Sequence, residues 1–166
     1  MRRTARGFTL LELVVVLAIV GVLVTLALPS FGSIVARHRL KSAAEQLSAD
    51  LAELRLQAAQ RGQVLHLNVQ PGTPWCWAPT TAPGCDCRVP QGCQLKTVRA
   101  ADHPGVTLLA GGDLRIEPRV AAALPGRGGH ALLQGSEGGA LRVELTPLGR
   151  PRVCAPGAAV PGYAAC

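Results

Sequence analysis

The sequence is poor in aromatic side chains and lacks the short motifs of the common enzyme classes. Only 3% of the 166 residues are Phe, Trp or Tyr, so we expect the core of a folded domain to consist of Leu, Val, Ala and Ile. No G-x-S-x-G, Walker A, H-E-x-x-H or G-x-G-x-x-G segment occurs. The four histidines show no ligand spacing, and the acidic residues form no obvious pair. We therefore predict that the protein is not an enzyme and holds no cofactor or metal.

Length and charge restrict the protein further. A chain of 166 residues suffices for one domain and an extension, but not for two ordinary domains. The formal net charge is +7, and three of the 17 basic residues (Arg2, Arg3 and Arg6) precede a long apolar run. Without these three, 14 basic and 10 acidic side chains remain, a net charge of +4 (14 − 10). This moderate excess permits an anionic partner without requiring one.

The apolar run covers residues 8–28 and reads FTLLELVVVLAIVGVLVTLAL. As a helix it would extend roughly 30 Å, about the thickness of a bilayer core, and the preceding arginines would stay in the cytoplasm. A secretory signal peptide has a shorter apolar core with an A-x-A site after it, whereas Leu28-Pro29-Ser30 follows here. Glu12 argues against this reading and against a plain membrane anchor, because a carboxylate there costs about 2.5–3.5 kcal/mol.

The segment from Arg6 to Glu12, RGFTLLE, resembles the class III signal of type IV pilins and type II secretion pseudopilins. The resemblance implies that a prepilin peptidase cuts between Gly7 and Phe8 and methylates the new amine of Phe8. It also implies that the Glu12 carboxylate meets the N-terminal amine of a neighbouring subunit, since charges in hydrocarbon are tolerable only when paired. The implied location is the bacterial inner membrane, with one membrane pass, a periplasmic C-terminal domain and incorporation into a pilus or pseudopilus.

Periodicity predicts one long helix over residues 8–61, of which 8–28 span the membrane. Pro29 is expected to bend this helix, and Gly62 is expected to end it. An apolar stripe recurs at steps of three and four residues, which is typical of a helix packed on a sheet. The stripe consists of Leu40, Ala44, Leu47, Leu51, Leu54 and Ala58.

Beyond Gly62 the pattern changes to short strands separated by Gly and Pro. The strand candidates are residues 64–69, 94–99, 106–110, 114–117, 131–134 and 141–145, and the Pro- and Cys-rich stretch 71–93 is predicted to be an irregular loop. We predict an α+β fold in which a long N-terminal helix precedes a small antiparallel sheet or sandwich with disulfides. The predicted parts are a leader (1–7), the helix (8–61) and a β-rich domain (62–166). This layout resembles the GspH/FimT group of minor pilins and pseudopilins.

Six cysteines lie beyond the apolar run, at positions 76, 85, 87, 93, 154 and 166. Four of them could supply thiolates to zinc, but Cys85 and Cys87 are separated by one residue, where paired zinc ligands prefer two to four. An even number in an exported part favours disulfides. We expect Cys154 to pair with Cys166 and the other four to pair within the loop, in an arrangement that the sequence leaves open.

The second informative segment is Gly149-Arg150-Pro151-Arg152. Gly149 permits a tight turn, Pro151 restricts the backbone, and guanidinium groups suit phosphate oxygens. The segment matches the GRxR motif of FimT-like minor pilins, which binds DNA during natural transformation; the resemblance implies that Arg150 and Arg152 contact DNA and that Gly149 shapes the turn. The alternative is an ordinary solvated loop.

Two functions follow from these features. The first is a minor pilin that binds DNA and aids its uptake; the alternative is a structural minor pseudopilin of a type II secretion system, or a minor pilin that primes assembly, without DNA binding. Both imply the prepilin peptidase, other pilin or pseudopilin subunits and the inner membrane as partners.

Trp75 and Trp77 would either stack on bases or, as we favour, pack in the core. Other basic residues that would extend a DNA surface are Lys96, Arg99, Arg115, Arg119, Arg127 and Arg142.

Overall fold

A computed structural model of the chain describes residues 8–89, 93–118, 129–146, 148–157 and 160–166, without the side chains of residues 26–30. The chain divides into two compact units, residues 1–35 and 36–166. A single helix, α1 (Leu10–Arg61), contributes to both of them. The predicted leader (1–7) lies outside the described residues.

In the first unit the described residues are helical from Leu10 onward, and their apolar side chains are exposed. Leu10 and Leu11 are 82% and 74% exposed, and exposure continues to Val24. Within the described part of the chain, no helix meets the length and hydropathy that a membrane crossing requires. The predicted span 8–28 ends in residues 26–28, whose side chains are outside the description.

The part of α1 in the second unit is amphipathic. Its inward face carries the predicted stripe, and all six members of that stripe are buried, together with Ala43. The helix ends at Arg61, where Gly62 adopts a left-handed φ of 63°. The Gln63 N–H then donates to the Ala58 carbonyl at 3.2 Å. This six-to-one hydrogen bond is a common helix ending that favours glycine, so the predicted stop is confirmed.

The second unit continues with two four-stranded antiparallel sheets. The strands are β1 (Leu65–Gln70), β2 (Cys76–Thr80), β3 (Val98–Arg99), β4 (Val106–Ala110), β5 (Leu114–Ile116), β6 (His130–Gly135), β7 (Ala140–Leu145) and β8 (Pro151–Cys154). The first sheet has the order β3-β2-β1-β5 and the second the order β4-β6-β7-β8. The predicted α+β fold is confirmed, with aliphatic side chains dominating the core as expected.

Two strand predictions need correction. The stretch 71–93, predicted as an irregular loop, contains β2, which pairs with β1 from His66↔Thr80 to Gln70↔Cys76. All five residues of β2 are buried, so the strand shows no apolar–polar alternation that the sequence could reveal. Conversely, only the last two residues of the predicted strand 94–99 form β3.

The two tryptophans belong to the core. Trp75 and Trp77 are 2% and 0% exposed, and their rings stack at 5.3 Å between centroids. The Trp75 indole donates to the Val106 carbonyl at 2.8 Å, and the Trp77 indole donates to the buried Asp50 carboxylate, also at 2.8 Å. The favoured core role is therefore confirmed, and stacking on bases is wrong for these side chains.

The structure forms three disulfides, Cys76–Cys87, Cys85–Cys93 and Cys154–Cys166. The predicted C-terminal pairing is confirmed, and so is pairing among the other four cysteines. Ligand atoms of Cys76, Asp86 and Cys87 lie within 4.8 Å of one another. This cluster does not offer two thiolates to a metal, because its two sulfur atoms are bonded to each other.

Acid should weaken this core through His103. The imidazole is buried, stacks on Trp75 and Trp77, and lies 2.8 Å from the Gln46 amide oxygen. Burial lowers the pKa of His103 from its ordinary value of 6.5, with Asp102 opposing the shift. The unfolded chain therefore protonates His103 at a higher pH than the folded chain. The contribution of neutral His103 to the free energy of unfolding is fully present above pH 6.5 and is lost as the pH falls toward the folded pKa.

Chemical denaturation at pH 7.5 and pH 5.0 measures this effect. The His103→Gln variant should lose less unfolding free energy between the two pH values than the unaltered protein. Burial and the Arg115 charge also lower the pKa of His66, so a residual dependence of the same sign should remain in the variant. An identical pH dependence in both proteins would contradict the role of His103.

Candidate nucleic-acid interface

The arginine pair lies in the hairpin that joins β7 to β8. The Thr146 N–H donates to the Arg150 carbonyl at 2.9 Å, and the Gly149 N–H donates to the Thr146 carbonyl at 2.7 Å. The Arg150 N–H donates to the Thr146 hydroxyl at 3.0 Å. Gly149 has a φ of 70°, a left-handed value that glycine adopts without steric cost. The position of Gly149 in the turn is thus explained by its backbone conformation.

Strand register places Arg150 and Arg152 on one face. Glu144 pairs with Arg152 and Leu145 with Pro151, and the Thr146–Arg150 hydrogen bond continues this ladder by one step. Because side chains alternate across a strand, residues 150 and 152 point to the side opposite the buried Leu145. Both arginines are exposed. The register therefore places both arginines on the outer face of the second sheet.

The same face carries further charges, and we call it the arginine face (Arg142, Glu144, Arg150 and Arg152). Glu144 lies opposite Arg152, and Arg142 lies opposite Cys154 two pairs further along. The Arg142 Nε atom is buried without a hydrogen-bond partner among the described residues. Three cations and one carboxylate give this face a net positive charge that suits an anionic ligand.

The Arg152 side chain is partly fixed by the C-terminal tail. Its Nη2 donates to the Ala165 carbonyl at 3.1 Å. Residues Ala155 and Ala165 form a parallel β-bridge, with hydrogen bonds from the Ala155 N–H to Ala164 at 2.9 Å and from the Cys166 N–H to Ala155 at 3.0 Å. The disulfide to Cys154 closes this arrangement.

The other basic residues do not join the arginine face as a group. Lys96 makes an ion pair with Asp50 at 2.7 Å, and Arg115 makes one with Glu117 at 2.8 Å. Arg99 belongs to β3 in the first sheet. Arg119 and Arg127 lie outside the described residues. Of the six residues considered for an extended surface, the structure brings Arg142 to the sheet that holds the pair.

The N-terminal site residues are described only in part. Gly7 is outside the described residues, whereas Phe8 is 78% exposed. The backbone N–H of Glu12 donates to the Thr9 hydroxyl at 3.3 Å, an N-cap contact that places Glu12 in the first turn of α1. The cleavage, methylation and assembly roles of Gly7, Phe8 and Glu12 stay predictions.

Comparison with known proteins identifies the N-terminal segment and the fold. Residues 2–28 match the prokaryotic N-terminal methylation motif. Two crystal structures of the type IV minor pilin FimU from Pseudomonas aeruginosa PAO1 are similar to this chain, with TM-scores of 0.53 and 0.55 at 16% identity. The alignments cover 69% and 70% of this chain and 91% and 89% of FimU. The fold is pilin-like. No curated protein sequence matches the chain.

The pilin-like fold also shows what sequence reasoning missed around the arginine pair. Pro151–Cys154 is a strand, whereas the sequence suggested a constrained turn segment. A strand can begin at Pro151 because proline is tolerated at the first position of an edge strand. Glu144, which lies opposite Arg152, is a neighbour that sequence reasoning missed; the apolar–polar alternation of residues 141–145 is the signal that could have found it. The contact of Arg152 with the Ala165 carbonyl leaves no signal in the sequence.

Proposed function

We propose that the protein is a type IV minor pilin of the GspH/FimT group that binds DNA through Arg150 and Arg152 and aids DNA uptake in natural transformation. The observation that carries this proposal is the exposure of both arginines on one outward face of the β7–β8 hairpin. Guanidinium groups there contact phosphate oxygens, with Gly149 shaping the turn. Such contacts supply affinity for the backbone and no base specificity.

The N-terminal part supplies processing and location in this proposal. The prepilin peptidase cuts after Gly7 and methylates Phe8, residues 8–28 anchor the chain in the inner membrane, and residues 62–166 form the periplasmic domain. Glu12 directs incorporation among other pilin subunits. The methylation motif over residues 2–28 supports this processing, and three disulfides suit an oxidising compartment.

A structural role without DNA binding is the second candidate. The observation that favours it is the exposed apolar helix of the first unit, which suffices for packing among pilin or pseudopilin subunits. Within the arginine face, Glu144 also offsets part of the positive charge. This candidate predicts the same processing and location, and loss of pilus assembly or protein secretion when the gene is deleted.

Salt-dependent DNA binding distinguishes the two candidates. The unit from residue 36 to 166 contains all the buried core residues of the described part of the chain and can be titrated into a fluorescent duplex at several salt concentrations. If Arg150 and Arg152 each neutralise one phosphate, the slope of log K against log[salt] should be about −2, since each phosphate contributes about −0.9. An absence of binding at low salt would favour the structural candidate.

A further inference from the structure

The C-terminal tail is fastened to two elements, β8, which contains Arg152, and α1. Its first attachment is the Cys154–Cys166 disulfide, which joins it to β8 two residues beyond Arg152. Its second attachment is α1, where the Tyr163 hydroxyl donates to the Glu45 carboxylate at 2.6 Å. Burial and the Glu45 carboxylate raise the pKa of Tyr163 to about 12, so this donor keeps its proton at neutral pH.

Between these attachments the tail presents one acceptor to the arginine face. The Ala165 carbonyl, which neighbours Cys166, accepts from the Arg152 Nη2 at 3.1 Å. A free arginine side chain has many rotamers, and binding must remove this freedom. A guanidinium group that is already held at one nitrogen has lost part of that freedom before a phosphate arrives.

Arg150 has a different environment. It lies in the turn, and its backbone contacts Thr146; the tail hydrogen bond is made by Arg152. The two arginines of one motif are therefore supported in different ways, which makes the effect of the tail separable by mutation.

We propose that the Cys154–Cys166 disulfide is a positioning device for Arg152, which holds the Ala165 carbonyl in place and thereby orients the guanidinium group toward phosphate. Cys166 and Ala165 are positioning residues, since they act through Arg152. This inference rests on the proposed DNA-binding function for its ligand. The orientation of Arg152 is a property of the protein alone and can be measured without DNA.

The decisive variant is Cys166→Ser. Cys166 is exposed, so the substitution breaks the disulfide without replacing the buried side chain of Cys154. The matched control is Cys93→Ser, which removes the Cys85–Cys93 disulfide in the segment between β2 and β3. Both are made in the full chain and held in neutral detergent micelles. Relaxation of the ¹⁵Nε–¹H group reports the order of the Arg152 side chain, with Arg88, which donates to the Pro71 carbonyl at 2.9 Å, as an internal reference.

We expect Cys166→Ser to release the Arg152 side chain to the mobility of a free arginine, while Arg88 stays unchanged. The control should leave Arg152 ordered. Equal order of Arg152 in the unaltered protein and in Cys166→Ser would overturn the proposal, whether or not the protein binds DNA.

Duplex affinity, combined with Arg152→Gln and Arg150→Gln, tests the consequence for phosphate binding. Cys166→Ser should weaken binding about fivefold alone and in the Arg150→Gln background, but should have no further effect in the Arg152→Gln background, since the two changes then remove the same interaction. An equal loss in both backgrounds would show general damage to the domain and overturn the proposal. Failure of the unaltered protein to bind duplex, with Arg152 ordered, would refute the DNA-binding function and leave the positioning of Arg152 intact.

Discussion

Replacing both Arg150 and Arg152 by glutamine should lower the affinity for duplex DNA at least a hundredfold. Glutamine keeps much of the length and polarity of arginine but removes the charge. A hydrogen bond to a charged group contributes about 1.5–3 kcal/mol, so two such losses amount to about 3–6 kcal/mol, and each 1.4 kcal/mol is a tenfold change. Fluorescence anisotropy with residues 36–166 and a labelled duplex at low salt measures the change.

The salt dependence should change together with the affinity. If the two arginines account for the phosphate contacts, the residual binding of the double variant should have a slope near zero, and each single variant should lose about one unit of slope. A double variant that binds weakly but keeps the full slope would place the phosphate contacts elsewhere on the domain.

Two control variants make this result specific. Arg115 belongs to β5 of the first sheet and is already paired with Glu117. Arg115→Gln removes one positive charge there, so it should leave the affinity nearly unchanged. Glu144→Gln removes the carboxylate opposite Arg152 and should strengthen binding, because a like charge no longer repels the phosphate. Equal losses in Arg115→Gln and the double variant would indicate an unspecific effect of net charge.

The helix and strands β5 and β7 could be predicted because their patterns are regular. The apolar stripe from Leu40 to Ala58 repeats at helical spacing over several turns, and Gly62 marks its end. Strands β5 and β7 bury alternate residues, and their sequences, LRI in β5 and LRVEL in β7, alternate apolar and polar side chains as well. A half-buried helix or strand places apolar residues at a regular spacing, and this spacing can be recognised in the sequence.

The strands that prediction missed have no such pattern. Every residue of β2 is buried. The strand contains a proline, and it begins with Cys76 and Trp77 instead of an apolar–polar alternation. Tertiary packing with β1 and β3 decides its conformation. Strand β8 begins with Pro151, which reads as a turn residue, although edge strands accept it. Both errors arise because pairing partners distant in sequence determine strand formation.

The candidate site was predictable as a motif and not as a surface. The sequence contained Gly149, Arg150 and Arg152 as a short basic segment, but their common direction follows from the register with β7. The disulfide partner of Cys154 was predicted, whereas the contact between Ala165 and Arg152 involves a backbone carbonyl. Backbone acceptors have no residue type, so the sequence carries no record of them.

The second large effect is expected at Glu12. Replacement by alanine should leave the protein in the inner membrane but reduce its incorporation into surface filaments at least a hundredfold. In the proposed assembly, the Glu12 carboxylate neutralises the N-terminal amine of a neighbouring subunit in an apolar environment. Removing one partner of a buried charge pair leaves the other uncompensated at a cost of about 3–5 kcal/mol, which is more than a hundredfold in an equilibrium constant.

Immunoblots of sheared filaments and of membrane fractions, from cells in which the variant replaces the chromosomal copy, measure both quantities. Leu11→Ala is the matched control, since it changes an adjacent exposed apolar side chain of the same helix turn without changing charge. Because alanine in place of glutamate makes membrane insertion easier, the membrane pool of Glu12→Ala should be at least as large as that of the unaltered protein. The loss therefore belongs to assembly and not to export. Normal incorporation of Glu12→Ala would show that the carboxylate has no partner in the filament, and a simple apolar anchor would then account for the N-terminal helix.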